Sequence, residues 1–206
     1  MIKLPLQLYE REQILNACLS VFARHGYKDT STGMLAEAAG ISKALIFHHF
    51  KSKKNLYFNL LEYCYGKVGS ALQADTVSQY EDFFQAVTVF MRNKFDYYCI
   101  HSNESKLVFE AFYCTPDELK EDKNKIYSSL LNSKNQDWER LFDKVVLREG
   151  VDRNEAFEFI MNTLGYFENK FFVETIDVDV INEEYVQNLL AKMIRYCDMI
   201  HYGIIK

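Results

Sequence analysis

The sequence predicts an all-α protein. Two prolines and eight glycines in 206 residues are few, and an all-β sandwich or barrel uses more of both in its turns. Apolar residues recur at helical spacing along most of the chain, without the alternation typical of strands. Hydrophobic residues make up 49% and charged residues 26%, which excludes a collagen-like or disordered chain. We therefore expect helices packed around a substantial core.

The first third of the chain predicts three helices separated by glycines. Residues 9–25 carry a broad apolar stripe, and Gly26 follows as a C-terminal cap. A compact helix is expected over residues 33–39, and Gly40 stops it. The next helix spans residues 43–50, after a serine that is a good N-cap. Lys, Ser and Asn residues then separate it from a longer helix that begins near residue 56.

Two short helices joined by a glycine-containing turn are typical of a helix-turn-helix. Ala36, Ala38 and Ala39 are small enough to let the two helices cross closely. Gly40 supplies the backbone conformation of the sharp turn, and Ile41 fills the angle between the helices. The second helix can then enter a DNA major groove with its first residues against base edges.

The charge distribution is compatible with such a partner. The formal net charge is −5, but residues 1–60 hold eight Lys/Arg against four Asp/Glu, a balance of +4 that leaves −9 on the other 146 residues. The N-terminal third can therefore face a polyanion while the remainder is acidic. A net charge of +4 over sixty residues is common, so the charge distribution alone is weak evidence for a nucleic-acid partner.

The rest of the chain predicts further helices. Their expected ranges are 56–72, 80–101, 103–113, 117–150, 152–172 and 183–202. The last two carry apolar stripes, which are Phe157, Ile160, Leu164, Phe167 and Phe171 on one and Val186, Leu190, Met193, Cys197 and Ile200 on the other. Such a pair in each subunit can form a four-helix interface across a two-fold axis. The alternative is that the stripes close the core of a single subunit.

Residues 14–60, and above all AEAAGISKALIFHHFKSKKNLY at 36–57, resemble the DNA-binding domain of TetR-family transcriptional regulators. The family pattern runs roughly I-A-x-x-A-G-V-S-x-G-x-L-Y-x-x-F-x-S-K-x-x-L. The resemblance implies a helix-turn-helix DNA-binding domain over residues 1–55 and a helical ligand-binding and dimerisation domain over 56–206. It also implies a homodimer that binds a double-stranded DNA operator, is joined through its last two helices, and releases the DNA when a small effector binds.

Carried over by position, the resemblance implies a set of DNA-contacting residues. Those expected at base edges or phosphates in and around the recognition helix are Ser42, Lys43, Ala44, Leu45, Phe47, His48 and His49. Thr30, Ser31 or Thr32 is expected to touch phosphate before the preceding helix. Lys53 is expected to do so at the start of the following helix, where an ammonium beside a helix N-terminus suits a phosphate oxygen.

Three positions depart from the family pattern. Ala44 stands where Gly is usual, Leu45 where Thr is common, and Phe47 where a Tyr hydroxyl commonly bonds a phosphate. We therefore expect fewer hydrogen bonds to DNA and more apolar contact, for example with thymine methyl groups.

The aromatic content, 15% of residues, is high for a tight core of this size. Core packing is the best explanation for each aromatic ring taken singly. The number of rings taken together indicates an apolar cavity for a flat or apolar effector. The candidate lining residues are Phe84, Met91, Phe95, Phe109, Tyr113, Trp138, Tyr166 and Phe167.

Other functional classes have little support in the sequence. No G-x-S-x-G, H-E-x-x-H, P-loop or G-x-G-x-x-G motif occurs, so we expect no enzyme and no cofactor. The adjacent His48 and His49 point about 100° apart on a helix and make a poor metal pair. Five scattered cysteines without a C-x-x-C pair predict reduced, buried thiols in a cytoplasmic protein. The alternatives are a DNA-binding adaptor that signals through a protein partner without a small ligand, and a helical enzyme whose N-terminal match is incidental.

Overall fold

The computed structural model is helical, as expected, and describes residues 5–72, 77, 79–175 and 181–205, with the backbone alone at 5–10 and 129–135. In chain order the helices are α1 (Pro5–Asp29), α2 (Thr32–Ala38), α3 (Lys43–Phe50), α4 (Lys53–Ala71), α5 (Phe83–Ile100), α6 (Ser102–Tyr113), α7 (Asp117–Phe142), α8 (Arg153–Thr175) and α9 (Glu183–Ile204). Within the described ranges, the sole β-type pairing is an isolated bridge between Leu147 and Ile205. No helix in these ranges combines the length and the apolar character that a membrane span needs.

Local capping explains where several helices begin. α4 starts three residues before the expected position because the Ser52 hydroxyl accepts the Asn55 N–H at 3.0 Å. The Asp82 carboxylate accepts the Gln85 N–H at 2.6 Å at the start of α5, and Asn182 accepts the Glu184 N–H at 2.8 Å before α9. Each cap satisfies a backbone donor that the helix itself leaves without a partner.

The chain divides into two compact units, and the division differs from the expected domain boundary. One unit comprises residues 1–68 and 101–123, and the other comprises residues 69–100 and 124–206. The helix-turn-helix therefore belongs to a unit that extends past residue 55 and includes α6. The assignment of DNA binding to residues 1–55 and of the remaining roles to 56–206 stays a prediction.

The first unit is built on an aromatic cluster formed by Phe22, Tyr27 and Tyr57. The Tyr57 ring meets the Phe22 ring edge-on at 5.3 Å and the Tyr27 ring at 5.0 Å. All three side chains are at most 5% exposed. Aromatic pairs in this geometry stabilise a core beyond the area that they bury. The cluster therefore fixes the end of α1 against α4.

The second unit buries the apolar stripes of α8 and α9 in its own core. All but one of the stripe residues are at most 8% exposed, and Phe157, at the start of the α8 stripe, is half-buried. The expectation that these stripes form an interface between subunits is therefore wrong for these residues. They close the core of a single protomer, because α8 and α9 pack against each other and α9 packs against α5.

A charged pair lies inside this second core. The Glu168 carboxylate on α8 accepts the Lys94 ammonium at 2.8 Å and the Tyr98 hydroxyl at 2.9 Å, both from α5. The Lys94 and Glu168 side chains are 18% and 10% exposed. A carboxylate that is this buried requires such donors, because an uncompensated charge in a core is costly.

Glu168→Ala is expected to destabilise the second unit by about 3 kcal/mol, because it removes the acceptor of a buried ammonium. A loss of that size lowers the melting temperature by roughly 10 °C in a thermal scan followed by circular dichroism. Glu158→Ala, which removes an exposed carboxylate from the same helix, is the control and should leave the melting temperature nearly unchanged. Equal shifts in the two variants would contradict a structural role for the pair.

The cysteines differ from their expected burial at two positions. Cys18, Cys64 and Cys197 are buried, and burial raises their thiol pKa values to about 12, about 12 and about 11. Thiols with such pKa values are protonated and unreactive near neutral pH. Cys99 is half-buried and Cys114 is exposed, so the expectation of buried thiols is wrong for these two residues.

Candidate DNA interface

The α2–turn–α3 segment has the geometry of a helix-turn-helix. Ser31 and Ser42 are the N-caps, and their hydroxyl groups accept the Met34 and Leu45 N–H groups, each at 3.2 Å. Gly40 has φ 63° in the turn, a conformation that glycine adopts at little cost. Because both caps and the turn are satisfied locally, the sequence itself fixes the angle at which α3 leaves α2.

α3 presents one face to the core and another to solvent. Ile46 is fully buried and Phe50 is 2% exposed, so these two residues anchor the helix. Leu45 and Phe47 are 39% and 45% exposed, unusual values for large apolar side chains. The other exposed residues on or capping this helix are Ser42, Lys43, Ala44, His48 and the C-cap Lys51, and His49 is half-buried. The solvent face of α3 therefore carries the residues expected to contact DNA.

Lys43 lies at the start of α3 and also close to α2. A Cβ atom added at Gly33 would be 3.2 Å from the Lys43 Cε and 3.4 Å from its Nζ. The ammonium therefore lies between the first turns of both helices. A cation at this point can meet either a phosphate or a base edge as the helix enters a groove.

The three residues before α2 have different surroundings. Thr30 is 1% exposed, and its hydroxyl donates to the Gly26 carbonyl at 2.7 Å. Ser31 is exposed and Thr32 is half-buried. The expected phosphate contact from this segment is therefore better placed on Ser31 or Thr32 than on Thr30, whose hydroxyl bonds inside the domain.

Lys53 connects α4 to the end of α1. Its ammonium donates to the Tyr27 and Thr30 carbonyls, both at 2.9 Å, and lies 4.2 Å from the centre of the Tyr27 ring. An ammonium has three N–H donors, and these two hydrogen bonds use two of them. Lys53 therefore has an intramolecular role that the sequence did not indicate, in addition to the expected phosphate contact.

Lys53→Ala is expected to weaken binding to all DNA sequences similarly. It should also flatten the dependence of log K on log salt by about one unit per half-site, because one phosphate contact is lost. Lys54→Ala is the control, since the neighbouring Lys54 pairs with Asp122. Fluorescence anisotropy at several salt concentrations measures the slope. A lower melting temperature with an unchanged slope would show that Lys53 has only the intramolecular role.

The residues expected to line an effector cavity lie in both units. Phe109 and Tyr113 are in the first unit and stack on each other at 5.1 Å. In the second unit, Phe95 stacks on Phe171 at 5.0 Å, and Phe167 meets Tyr196 edge-on at 5.2 Å. Among the remaining candidates, Met91 is buried, and Phe84 and Trp138 are half-buried. Tyr166 is 53% exposed. Several of these rings thus pack on one another, and their role in ligand binding stays a prediction.

A polar cleft, which the sequence did not predict, opens in the first unit where α1 ends beside α6. Its volume is about 270 Å³. Its lining residues are His25, Gly26, Lys28, Asp29, Glu110, Cys114, Thr115, Pro116 and Asp117. Glu110 is the notable member, because its carboxylate accepts the Tyr27 N–H at 2.8 Å and the Tyr57 hydroxyl at 2.9 Å. No local motif marks this glutamate in the sequence.

Comparison with known proteins identifies the N-terminal segment. Residues 14–60 match the family model described as bacterial regulatory proteins, tetR family. The chain is 38% identical over 69 residues to the HTH-type transcriptional repressor AcnR of Corynebacterium glutamicum, a match that covers 34% of each chain. The match therefore spans about a third of the length of that relative.

Two comparisons extend over most of the chain. The HTH-type transcriptional regulator YvkB of Bacillus subtilis is 22% identical over 187 residues, covering 89% of this chain and 95% of that protein. The structure of the ketosteroid transcriptional regulator KstR2 of Mycobacterium tuberculosis superimposes with a TM-score of 0.66 at 16% identity, covering 95% of each chain. The family and these relatives are transcriptional regulators and not enzymes. Residues 14–60 therefore carry a DNA-binding domain of the tetR family of bacterial regulatory proteins, and the chain shares its all-α fold with solved regulators of this kind.

Proposed function

We propose that the protein is a homodimeric, sequence-specific DNA-binding repressor that leaves its operator when a small apolar or aromatic effector binds. The observation that carries the proposal is the solvent face of α3, where Leu45 and Phe47 are exposed while Ile46 and Phe50 are buried in the core. A short helix that is anchored on one side and exposes polar and apolar groups on the other is suited to a major groove.

The exposed groups suggest how DNA is recognised. Ser42, Lys43, Ala44 and Leu45 form the first turn of α3 with its cap, which is the part that reaches base edges in this class of motif. Phe47 has no hydroxyl to offer a phosphate, so its ring and the Leu45 side chain contribute apolar contact. Lys53, at the start of α4, and the exposed Ser31 supply phosphate contacts, which orient the protein without reading the sequence.

Dimerisation is proposed through a second set of apolar residues on α8 and α9. Phe159, Tyr166 and Val173 are spaced by seven residues along α8 and are 60%, 53% and 63% exposed. On α9, Tyr196, Met199 and Tyr202 are 38%, 62% and 73% exposed. Residues seven apart, as on α8, lie on one face of a helix. Because α8 and α9 pack against each other, the exposed apolar residues of the two helices suit a self-complementary interface with a second copy.

Release by an effector requires differential binding. The effector has to prefer the dimer conformation in which the two recognition helices no longer fit successive major grooves. A preference of about 100-fold corresponds to about 2.7 kcal/mol per site. The aromatic side chains of the second unit, such as Phe95, Phe167 and Trp138, are the candidates for contact with an apolar effector. Such a regulator acts in the cytoplasm, where its operator is.

The experiment is a selection of DNA duplexes from a random pool with the purified protein, followed by a screen for release. We expect enrichment of a palindromic site whose half-site centres lie about 34–36 Å apart, or a multiple of that distance. Flat aromatic and aliphatic compounds are then tested for displacement of the selected duplex, with denatured protein as a control. Selection of a site that no compound releases would favour the adaptor that signals through a protein partner. Failure to enrich any sequence would contradict the proposal.

A further inference from the structure

We propose that Glu110 is a positioning residue for DNA recognition. Its carboxylate, brought in by α6, holds the junction between α1 and α2 and thereby sets the orientation of the recognition helix. The proposal rests on the proposed DNA-binding function and assigns a role to a residue outside the helix-turn-helix.

The junction is a break in the helical backbone. Gly26 has φ 69° and ψ 173° within α1, so the helical hydrogen-bond ladder is interrupted at that point. The Tyr27 N–H donates instead to the Glu110 Oε1 at 2.8 Å. A side chain from α6 thus supplies an acceptor at the point where the ladder of α1 breaks.

The second carboxylate oxygen of Glu110 connects the same point to α4. Glu110 Oε2 accepts the Tyr57 hydroxyl at 2.9 Å, and the Tyr57 ring packs against Tyr27. One carboxylate therefore joins α6 to two elements, the end of α1 and the side of α4. α1 and α6 are also in extensive contact with each other.

Gly26 is independent evidence that the sequence accommodates the close approach of the Glu110 carboxylate to the backbone of α1. A Cβ atom at Gly26 would lie 2.8 Å from the Glu110 Oε1, closer than two such atoms can pack. Its positive φ is a second reason for glycine at this position. The absence of a side chain thus lets the carboxylate reach the Tyr27 N–H.

The junction leads directly into the DNA-binding segment. Only a few residues separate Tyr27 from the Ser31 cap of α2, and Lys53 holds the carbonyls of Tyr27 and Thr30 from the opposite side. Glu110 thus accepts a hydrogen bond from an N–H group of this segment, and Lys53 donates to two of its carbonyl groups. Loss of the Glu110 contact would let α2 and α3 move as a pair, and DNA binding would then have to restrict that motion.

The direction of the change in DNA affinity distinguishes a positioning role of Glu110 from a simple effect of its charge. Removing a carboxylate from a DNA-binding protein should tighten DNA binding, because it reduces repulsion of phosphates. If Glu110 positions the junction, Glu110→Ala weakens binding in spite of that charge change. We expect about tenfold weaker binding to the selected duplex, measured by anisotropy well below the melting temperature. Glu110→Gln removes the same charge and keeps an oxygen acceptor for the Tyr27 N–H, so it should bind within about threefold of wild type.

Glu104→Ala is the matched control, because it removes a carboxylate from the same helix. The Glu104 carboxylate faces the Lys67 ammonium of α4 at 3.9 Å and the His101 ring at 3.8 Å. We expect its operator affinity to equal or slightly exceed that of wild type. Hydrogen exchange gives a direct structural readout. The Tyr27 amide should exchange much faster in Glu110→Ala and at the wild-type rate in Glu104→Ala.

The Gly26→Ala variant tests the same contact from the other side. Gly26→Ala should weaken DNA binding, and the Gly26→Ala/Glu110→Ala double variant should bind no worse than Gly26→Ala, because both changes disable one contact. Glu110→Ala that binds as tightly as wild type, or that changes in the same direction as Glu104→Ala, overturns the role of Glu110. A wild-type protein that selects no duplex instead overturns the proposed function itself, so the two failures are distinguishable.

Discussion

Phe159→Glu is expected to leave the chain monomeric and to lower its operator affinity by at least a hundredfold. Phe159 is 60% exposed at one end of the apolar series on α8, and a charge placed in a subunit interface is left without a partner. A monomer binds only one half-site and loses the high effective concentration that the second half-site contributes in a dimer. Sedimentation gives the oligomeric state, and anisotropy gives the affinity.

Ile126→Glu is the matched control for this prediction. Ile126 is 51% exposed on α7, so the substitution adds the same charge at a similarly exposed apolar position outside α8 and α9. It should leave both the dimer and the operator affinity unchanged. Phe159→Glu that remains dimeric, or an Ile126→Glu that dissociates equally, would contradict an interface on the exposed face of α8 and α9.

Lys43→Ala is expected to lower operator affinity by about 30-fold or more and to reduce the preference for the operator over a scrambled duplex. A good base contact contributes about 1–3 kcal/mol of discrimination, and a dimer makes it twice. Lys43 is exposed in the first turn of α3, with its ammonium close to the start of α2. Anisotropy with both duplexes gives the two affinities.

Lys51→Ala removes the same charge at the other end of α3, where Lys51 is the exposed C-cap. It should weaken binding to both duplexes slightly and equally, because it changes only the general attraction to phosphates. If Lys43→Ala also weakened both duplexes equally, Lys43 would contact phosphate and would not read the sequence.

Local patterns were sufficient to predict most of the helices. Gly40 and Ser42 mark helix ends and Gly26 marks the break within α1, through backbone conformation and capping that depend on neighbouring residues alone. For the same reason α3 was predicted with its observed bounds, Lys43–Phe50. The beginning of α4 was placed too late, because the capping role of Ser52 was missed.

Tertiary contacts were not predictable in the same way. Glu110 meets Tyr27 across 83 positions of sequence, and no spacing rule connects the two. The inward hydrogen bonds of Lys53 and Thr30 also depend on how α1 ends. An apolar stripe on α8 or α9 predicts that one face of the helix is buried. It does not predict whether the same subunit or a second copy covers that face. In this protein the stripes close the core of the protomer, and the exposed apolar residues lie on another face.

Salt-dependent binding of the wild-type protein to its selected duplex and to a scrambled duplex tests the central claim most directly. We expect tight binding that prefers the selected duplex and weakens steeply with salt, since several phosphates are contacted by each subunit. One dimer should bind per palindrome. Equal, weak binding to both duplexes, or no binding to either even at low salt, would contradict sequence-specific recognition by α3.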